Sequence, residues 1–292
     1  MVHILSANPQ FGAIAAGPYN PRIPTCPGAR VTDLASTILL GLIEGITEFL
    51  PVSSTGHLLI AEHWLGARSD VFNVVIQAGA ILAVVLIYRE RLWRLACGLR
   101  RAEERAYAAK LSIAFVITAV LGFAATRLGF KLPESIAPVA WALILGGAWM
   151  LGAEWFAARR PEHTEVTWTV AALVGLAQVV AGVFPGTSRS AATIFVALLA
   201  GTGNRAAATE FAFLVGIPTM FAASGYELLK ALKGGGLHEE WSSLALAFVV
   251  SALTAFAVVR WLLGYIRTHR FTAFALYRIA LGIALLIALP VA

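Results

Sequence analysis

The chain of 292 residues is 59% hydrophobic and 13% charged, with a mean hydropathy of +0.79. This composition excludes an ordinary soluble domain, in which about 25% of residues are charged. The net charge of +6 does not indicate nucleic-acid binding, because basic residues on the loops of a membrane protein set its topology. Cys26 and Cys97 are predicted to form neither a disulfide nor a metal site, since one lies in the N-terminal tail and the other in a basic connection.

The N-terminal segment differs from the rest of the chain, because it is rich in proline and glycine and lacks the continuous apolar core of a signal peptide. We expect residues 1–32 to form a disordered tail and residues 33–292 to form a single polytopic membrane domain. Apolar stretches of membrane-spanning length occur at 71–88, 111–126, 136–155, 211–229, 244–259 and 274–291. Each is close to the roughly 20 residues that cross a bilayer as a helix, which predicts an all-α integral membrane protein with about six transmembrane helices.

Two other apolar segments resemble each other and are predicted not to span the membrane: GLIEGITEFLPVSSTGH at 41–57 and GLAQVVAGVFPGTSRSA at 175–191. A constant offset of 134 aligns Gly41 with Gly175, Leu42 with Leu176, Glu44 with Gln178, Pro51 with Pro185 and Ser54 with Ser188. A short helix and three spans follow each motif, and an odd number of spans inverts the second copy. The sequence therefore predicts an inverted-topology repeat, 34–157 and 168–292, whose two re-entrant helix–loop–helix segments meet near the bilayer midplane.

Charge on the connections predicts the orientation of these segments. The connection 89–110 carries seven basic residues and is predicted to face the cytoplasm, and Arg159 and Arg160 fall on the same side two spans later. Both termini then face outside. The first motif enters from the outside and the second from the cytoplasm.

Each motif breaks at a proline, Pro51 or Pro185, which cannot continue a helix, and then offers serine or threonine to cap a new one. The N-termini of two half-helices would point N–H groups and positive dipole ends at one cavity, which favours an anion. Arg189 can grip phosphate oxygens there with its forked guanidinium, although pairing with a glutamate between helices is the alternative. The predicted phosphate-binding residues are Ser53, Thr55, Gly186, Thr187, Ser188, Arg189 and Ser190.

Four polar residues of the first motif are candidates for chemistry together with Arg189. Glu44 and Glu48 are four residues apart and share a helix face, so they either share a proton or hold a hard cation such as Mg²⁺ or Ca²⁺; a pair hydrogen-bonded to neighbouring helices is the alternative. Ser54 and His57 are three residues apart, which suits a nucleophile–base or donor–acid pair. The predicted catalytic residues are Glu44, Glu48, Ser54, His57 and Arg189. Ser54, His57 or a water activated by Glu48 could attack the phosphate.

The segments EGITEFLPVSSTGH and PGTSRSAAT resemble the two signature motifs of the undecaprenyl-diphosphate phosphatase family, also known as the bacitracin-resistance protein family. Further resemblance is carried by FNVVIQAGAILAVV at 72–85, EFAFLVGIP at 210–218 and Tyr277–Arg278, and it extends from about residue 33 to the C-terminus. One departure is Ala191, which stands where the second motif usually has glycine; it puts the fine geometry of Ser190 and Thr193 in doubt.

The resemblance implies a bacterial inner-membrane enzyme that hydrolyses undecaprenyl diphosphate to undecaprenyl phosphate and inorganic phosphate. Such an enzyme recycles the carrier lipid for peptidoglycan, confers bacitracin resistance, uses a divalent cation and opens its active site toward the outer face. The family's catalytic residues map onto Glu44, Glu48, Ser54 and His57, and its second motif maps onto Ser188, Arg189 and Thr193. The expected partners are the lipid and the membrane, with a homodimer possible. The alternative is a polyprenyl-phosphate flippase or transporter without hydrolysis, since inverted repeats with broken helices are transporter architecture.

Overall fold

The computed structural model describes residues 27–129, 136–233 and 240–288, and every regular element in these ranges is a helix. The helices are α1 (Pro27–Thr47), α2 (Ser54–Leu65), α3 (Asp70–Ile87), α4 (Arg89–Cys97), α5 (Ala102–Arg127), α6 (Ile136–Ala157), α7 (Trp168–Val183), α8 (Arg189–Ala200), α9 (Arg205–Lys233), α10 (Trp241–Tyr265) and α11 (Thr272–Ala288). The all-α prediction is confirmed.

Five helices of the described ranges, α3, α5, α6, α9 and α10, are long and apolar enough to cross a membrane, and each overlaps one predicted span. The sixth predicted span, 274–291, corresponds to α11, an apolar helix of 17 residues, and its end at 289–291 lies outside the described residues. The chain is therefore a multi-pass membrane protein.

Two boundaries differ from those expected. The connection 89–110 is not an open loop, because it holds the nine-residue helix α4 and the start of α5. Helix α4 forms because it buries Leu95 on one face while Trp93 stays exposed on another. Helix α1 begins at Pro27, within the segment assigned to a tail, since proline suits the first turn of a helix; residues 1–26 lie outside the described part of the chain.

Both predicted helix breaks are present, one between α1 and α2 and the other between α7 and α8. Their caps, Ser53 and Ser188, are the only non-glycine residues with positive φ in the described ranges, at 76° and 68°. Their hydroxyls accept hydrogen bonds from the main chain at Gly56 and Ala191, each at 3.3 Å. The predicted pairing of Ser54 with Ser188 is therefore wrong at the caps, because the cap follows the proline by two positions in the first motif and by three in the second. The first residues of the two new helices are instead Ser54 and Arg189.

Helices of the first half of the chain pack against helices of the second half. Helix α1 lies against α10, and α7 lies against α5; α3 packs on α9, and α6 packs on α11. The largest core cluster includes the aromatic side chains of Phe195, Phe211 and Phe271, all fully buried. An edge-to-face contact between Phe49 and Phe213, with ring centroids 5.1 Å apart, attaches the first break to α9. Both breaks are thus held inside the helical bundle.

The crossing of α6 and α11 is reciprocal. A Cβ at Gly147 of α6 would lie 2.7 Å from the carbonyl oxygen of Ala275, and a Cβ at Gly282 of α11 would lie 2.7 Å from that of Ala140. Small residues at helix crossings in membranes let backbones approach closely and gain packing energy. Each helix therefore presents the same small-residue surface to the other.

Replacing Gly147 or Gly282 with alanine should force α6 and α11 apart, because the added methyl group meets main-chain atoms that cannot yield. We expect each variant to lose about 1–3 kcal/mol of stability, measured as a lowered midpoint of unfolding in detergent. Gly152→Ala, on the same helix α6, is the matched control, since a Cβ there has no atom within 4 Å. Equal midpoints for all three variants would contradict the close crossing.

Candidate active site

The two breaks touch each other in the interior. The hydroxyl of Ser190, in the first turn of α8, donates to the carbonyl oxygen of Leu50 at 2.9 Å. Ser190 also lies 3.1 Å from the hydroxyl of Ser188, hydroxyl to hydroxyl, so that the second cap is joined to the first break. These contacts join the two broken segments directly.

Glu48 lies where the two half-helices converge. The hydroxyl of Ser54 donates to Oε2 of Glu48, and Nη2 of Arg189 lies 4.0 Å from Oε1. The Glu48 side chain is 5% exposed, whereas that of Arg189 is 29% exposed. A hydroxyl bonded to a carboxylate is an arrangement that can remove the hydroxyl proton, and the long Arg189 contact leaves guanidinium N–H groups for an oxyanion. The first residues of both half-helices thus meet at one carboxylate.

Glu44 lies one turn earlier on α1 and is buried, with 1% exposure. The N–H of Glu48 donates to the Glu44 carbonyl oxygen at 2.9 Å, so the α1 hydrogen-bond pattern reaches Glu48. Within the described ranges, Oε2 of Glu44 has no hydrogen-bond partner. A buried carboxylate oxygen is costly unless a proton or a cation satisfies it, and carboxylate oxygen is a ligand type that Mg²⁺ and Ca²⁺ prefer.

The protein alone does not build a closed metal site around these carboxylates. No group of three or more histidine, cysteine, aspartate or glutamate side chains with metal-binding geometry occurs in the described ranges. Mg²⁺ in enzymes is commonly held by one or two carboxylates together with substrate phosphate oxygens and water. Glu44 and Glu48 supply carboxylate oxygens, the ligand type that such a cation takes.

The His57 side chain is hydrogen-bonded to Ser53 and Tyr277 and not to Ser54. Its Nδ1 lies 2.7 Å from the Ser53 carbonyl oxygen, and its Nε2 lies 2.7 Å from the Tyr277 hydroxyl, against whose ring it stacks with centroids 5.6 Å apart. The side chains of Ser54 and His57 are therefore not hydrogen-bonded to each other in this structure, because the Ser54 hydroxyl is turned to Glu48 and both imidazole nitrogens are engaged elsewhere. The nucleophile–base or donor–acid role of the pair stays a prediction. The sequence indicated Tyr277 only as part of the resemblance to the family and not as a site residue.

Most other predicted phosphate-binding residues shape the loops. The Thr193 hydroxyl donates to the Arg189 carbonyl oxygen at 2.8 Å, and the Ser53 hydroxyl caps α2. Thr55 is exposed on the first turn of α2. The methyl group of Ala191 is buried in the core, and its N–H still bonds the Ser188 cap, so this departure from the usual glycine leaves the helix start in place.

Arg278, which the sequence marked only as part of the resemblance to the family, is a further residue of the site. It is fully buried in α11, and its guanidinium donates only to main-chain carbonyl oxygens: Pro51 at 3.4 Å, Gly186 at 2.9 Å, Thr187 at 3.0 Å and Ala142 at 3.1 Å. None of the ion pairs among the described residues includes it. An arginine inside an apolar helix is a functional signal that the sequence already contained.

Comparison of the sequence with known proteins identifies a family and bacterial relatives that are named for an enzymatic activity. A family model described as "Bacitracin resistance protein BacA" matches residues 37–284. A protein of Rhizobium etli named undecaprenyl-diphosphatase is 69% identical over 255 residues, which are 87% of this chain and 96% of that protein. A protein of Xanthomonas euvesicatoria pv. vesicatoria with the same name is 62% identical over 263 residues, which are 90% of this chain and 99% of that protein.

Replacing Arg278 with methionine should leave three loop carbonyl oxygens, those of Pro51, Gly186 and Thr187, without this donor. Each unsatisfied buried group costs about 1–3 kcal/mol, so we expect a large loss of stability, read from the unfolding midpoint and from new protease cleavage near both breaks. Arg270→Met, at an exposed position just before α11, is the control and should leave both readouts unchanged. A stable, uncleaved Arg278→Met protein would contradict the role of this side chain.

Proposed function

This chain belongs to the bacitracin resistance protein BacA family, and we propose that it hydrolyses undecaprenyl diphosphate to undecaprenyl phosphate and inorganic phosphate. Relatives that share more than 60% of its residues over nearly their whole length bear the name of that activity. The structural observation that carries the proposal is the convergence of Ser54 and Arg189 on Glu48. The reaction recycles the carrier lipid for cell-wall synthesis in the bacterial inner membrane. It also removes the diphosphate that bacitracin sequesters, and so confers resistance.

Hydrolysis explains the carboxylates better than transport does. A site that only carries a phosphate would gain little from Glu48, because a carboxylate repels the ligand that Arg189 attracts. A base beside a hydroxyl is what anhydride cleavage requires. The bond between the Ser54 hydroxyl and Glu48 therefore favours a hydrolase over a flippase.

In the proposed reaction, Arg189 holds the terminal phosphate, and the Ser54 oxygen attacks its phosphorus while Glu48 accepts the serine proton. The bond between phosphorus and the bridging oxygen breaks, and the electron pair leaves with undecaprenyl phosphate. Glu48 passes its proton to the departing phosphate group or to solvent and becomes a carboxylate again. A water molecule then attacks the phosphoserine and gives a proton to Glu48. The bond between phosphorus and the Ser54 oxygen breaks, the serine oxygen takes the proton back from Glu48, and inorganic phosphate is released. Positioning and charge stabilisation supply most of the acceleration in such transfers. His57 is assigned no proton transfer, since Ser54 faces Glu48.

Glu44 and Glu48 are the residues that would hold a divalent cation, Mg²⁺ or Ca²⁺, next to the diphosphate. When bound, such a cation offsets the negative charge of the phosphate groups. The support for this assignment is the unpartnered Oε2 of Glu44.

The inverted-topology repeat is part of the proposal. Three observations support it: the helix pairs formed between the two halves, the reciprocal glycine contacts of Gly147 and Gly282, and the equivalent strained caps at Ser53 and Ser188. With an odd number of spans in each copy, α1 would enter from the outside and α7 from the cytoplasm, and the active site would open toward the outer face. A homodimer stays a prediction.

Phosphate release from undecaprenyl diphosphate by the detergent-purified protein tests the proposed reaction. Ser54→Ala, Glu48→Gln and Arg189→Ala should each lower kcat by about 10²-fold or more, because each removes a part of the transferring site. A chelator should abolish release, and added Mg²⁺ or Ca²⁺ should restore it. Rapid quenching should trap phosphate on Ser54. Glu90→Gln, an exposed carboxylate on α4, is the control for charge loss.

Two results would separate the alternatives. Hydrolysis without any trapped phosphoserine would favour direct attack by water that Glu48 activates. No phosphate release from a folded and lipid-reconstituted sample would overturn the hydrolase, and a lipid-flipping assay would then test the transporter.

Labelling with a membrane-impermeant maleimide on intact spheroplasts tests the orientation. Cys97 is exposed on α4, which we assign to the cytoplasm, so in a Cys26→Ser protein it should react only after permeabilisation. Ala67→Cys, introduced together with Cys97→Ser, places a thiol at the exposed turn between α2 and α3 and should react in intact cells. The reverse pattern would contradict the proposed topology.

A further inference from the structure

We propose that Tyr277 is a positioning residue for the reaction, acting through His57 on the strained cap that precedes Ser54. The proposal rests on the proposed function for its kinetic consequence, but its geometry stands on contacts that do not depend on the substrate. Tyr277 lies on α11, at the opposite end of the chain from α2. Its hydroxyl contacts Nε2 of His57 at 2.7 Å, and the two rings stack with an interplanar angle of 10°.

The hydrogen bonds of His57 define its tautomer. The Ser53 carbonyl oxygen can only accept, so Nδ1 of His57 carries the hydrogen and donates at 2.7 Å. In the neutral imidazole, Nε2 is then an acceptor, and the Tyr277 hydroxyl is the group that donates to it. Tyr277 therefore favours the tautomer in which His57 can hold the Ser53 carbonyl group.

The hydrogen bond from His57 to the Ser53 carbonyl oxygen matters because of the backbone conformation of Ser53. Ser53 has φ of 76°, and a non-glycine residue in that region costs on the order of 1–3 kcal/mol unless its surroundings enforce it. The peptide plane of that carbonyl continues directly into the main-chain nitrogen of Ser54. Fixing the carbonyl oxygen therefore fixes the start of α2 and the direction of the Ser54 hydroxyl toward Glu48.

The second cap shows that this arrangement is a specific feature of the first break. The residue four positions after Ser188 is Ala192, which cannot reach a carbonyl as His57 does. Ser188 is supported instead by Ser190, whose hydroxyl lies 3.1 Å away and donates to Leu50. A histidine that is held from α11 thus contacts the carbonyl group of the cap beside the proposed nucleophile, whereas the hydroxyl of the other cap is contacted by a serine of its own helix.

Tyr277→Phe tests the proposal because it keeps the stacked ring and removes only the hydroxyl. We expect kcat for undecaprenyl diphosphate to fall about fivefold with KM unchanged, the size of effect that the loss of one neutral hydrogen bond produces. Tyr226→Phe, which changes an exposed tyrosine of α9, is the matched control. An unchanged kcat, or a raised KM with unchanged kcat, would overturn the positioning role.

A spectroscopic readout decides the matter independently of turnover. In protein labelled with ¹⁵N-histidine, the His57 signals are assigned by their loss in His57→Gln. We expect one fixed Nδ1–H tautomer in the wild type and a mixture of tautomers in Tyr277→Phe. A single unchanged tautomer in both proteins would overturn the proposal even if the enzyme is active. If the wild type is inactive but Tyr277→Phe shows the mixture of tautomers, the contact between Tyr277 and His57 is supported and only the proposed hydrolysis is overturned.

A double variant addresses the strain itself. Glycine adopts positive φ without cost, so Ser53→Gly removes the strain that the hydrogen bond from His57 resists. We expect Tyr277→Phe to lower kcat less in the Ser53→Gly background than in the wild type. Equal effects in both backgrounds would show that Tyr277 does not act through the cap.

Discussion

The arrangement of the site depends on how the carbonyl groups of two interrupted helices are satisfied inside a bundle of apolar helices. Non-helical backbone at membrane depth is tolerated only where protein or water meets its hydrogen-bonding needs. Arg278 meets this need for both breaks at once, since its guanidinium donates to Pro51 on one side and to Gly186 and Thr187 on the other. Because one rigid group joins the two breaks, Ser54 and Arg189 start their helices at a fixed separation.

The charge of Arg278 has a second effect. Its acceptors are carbonyl dipoles rather than a carboxylate, so its positive charge is not cancelled by a neighbouring anion. The two acidic residues of the site, Glu44 and Glu48, are also buried. A site that combines two buried carboxylates with two arginines, Arg189 and Arg278, suits a ligand that brings both negative phosphate and a positive counterion. This balance agrees with the proposed diphosphate substrate and its cation.

Much of the fold followed from the sequence, because spans depend on length and apolarity, and both can be counted. The breaks at Pro51 and Pro185 were also predictable, since proline chemistry is local. The pairing of caps was not, because one additional residue between the proline and the cap of the second motif shifts the register, and only the dihedral angles reveal it. Likewise, the spacing of Ser54 and His57 indicated a shared helix face, but the hydrogen-bond partners of both side chains lie outside that helix: Glu48 is six positions before Ser54, and Tyr277 is on α11. Contacts made outside a helix leave no periodic trace in the sequence of that helix.

The half-exposed position of Tyr277, at 47%, has a consequence for how the enzyme meets its substrate. Neighbouring side chains on α11, such as Leu276 and Ile283, are exposed apolar groups of the kind that face acyl chains. A polar rim beside such a surface admits a head group while the prenyl tail stays in the bilayer. Encounter is then two-dimensional: turnover should follow the mole fraction of lipid in the membrane plane rather than its bulk concentration, and inert phospholipid should act as a diluent.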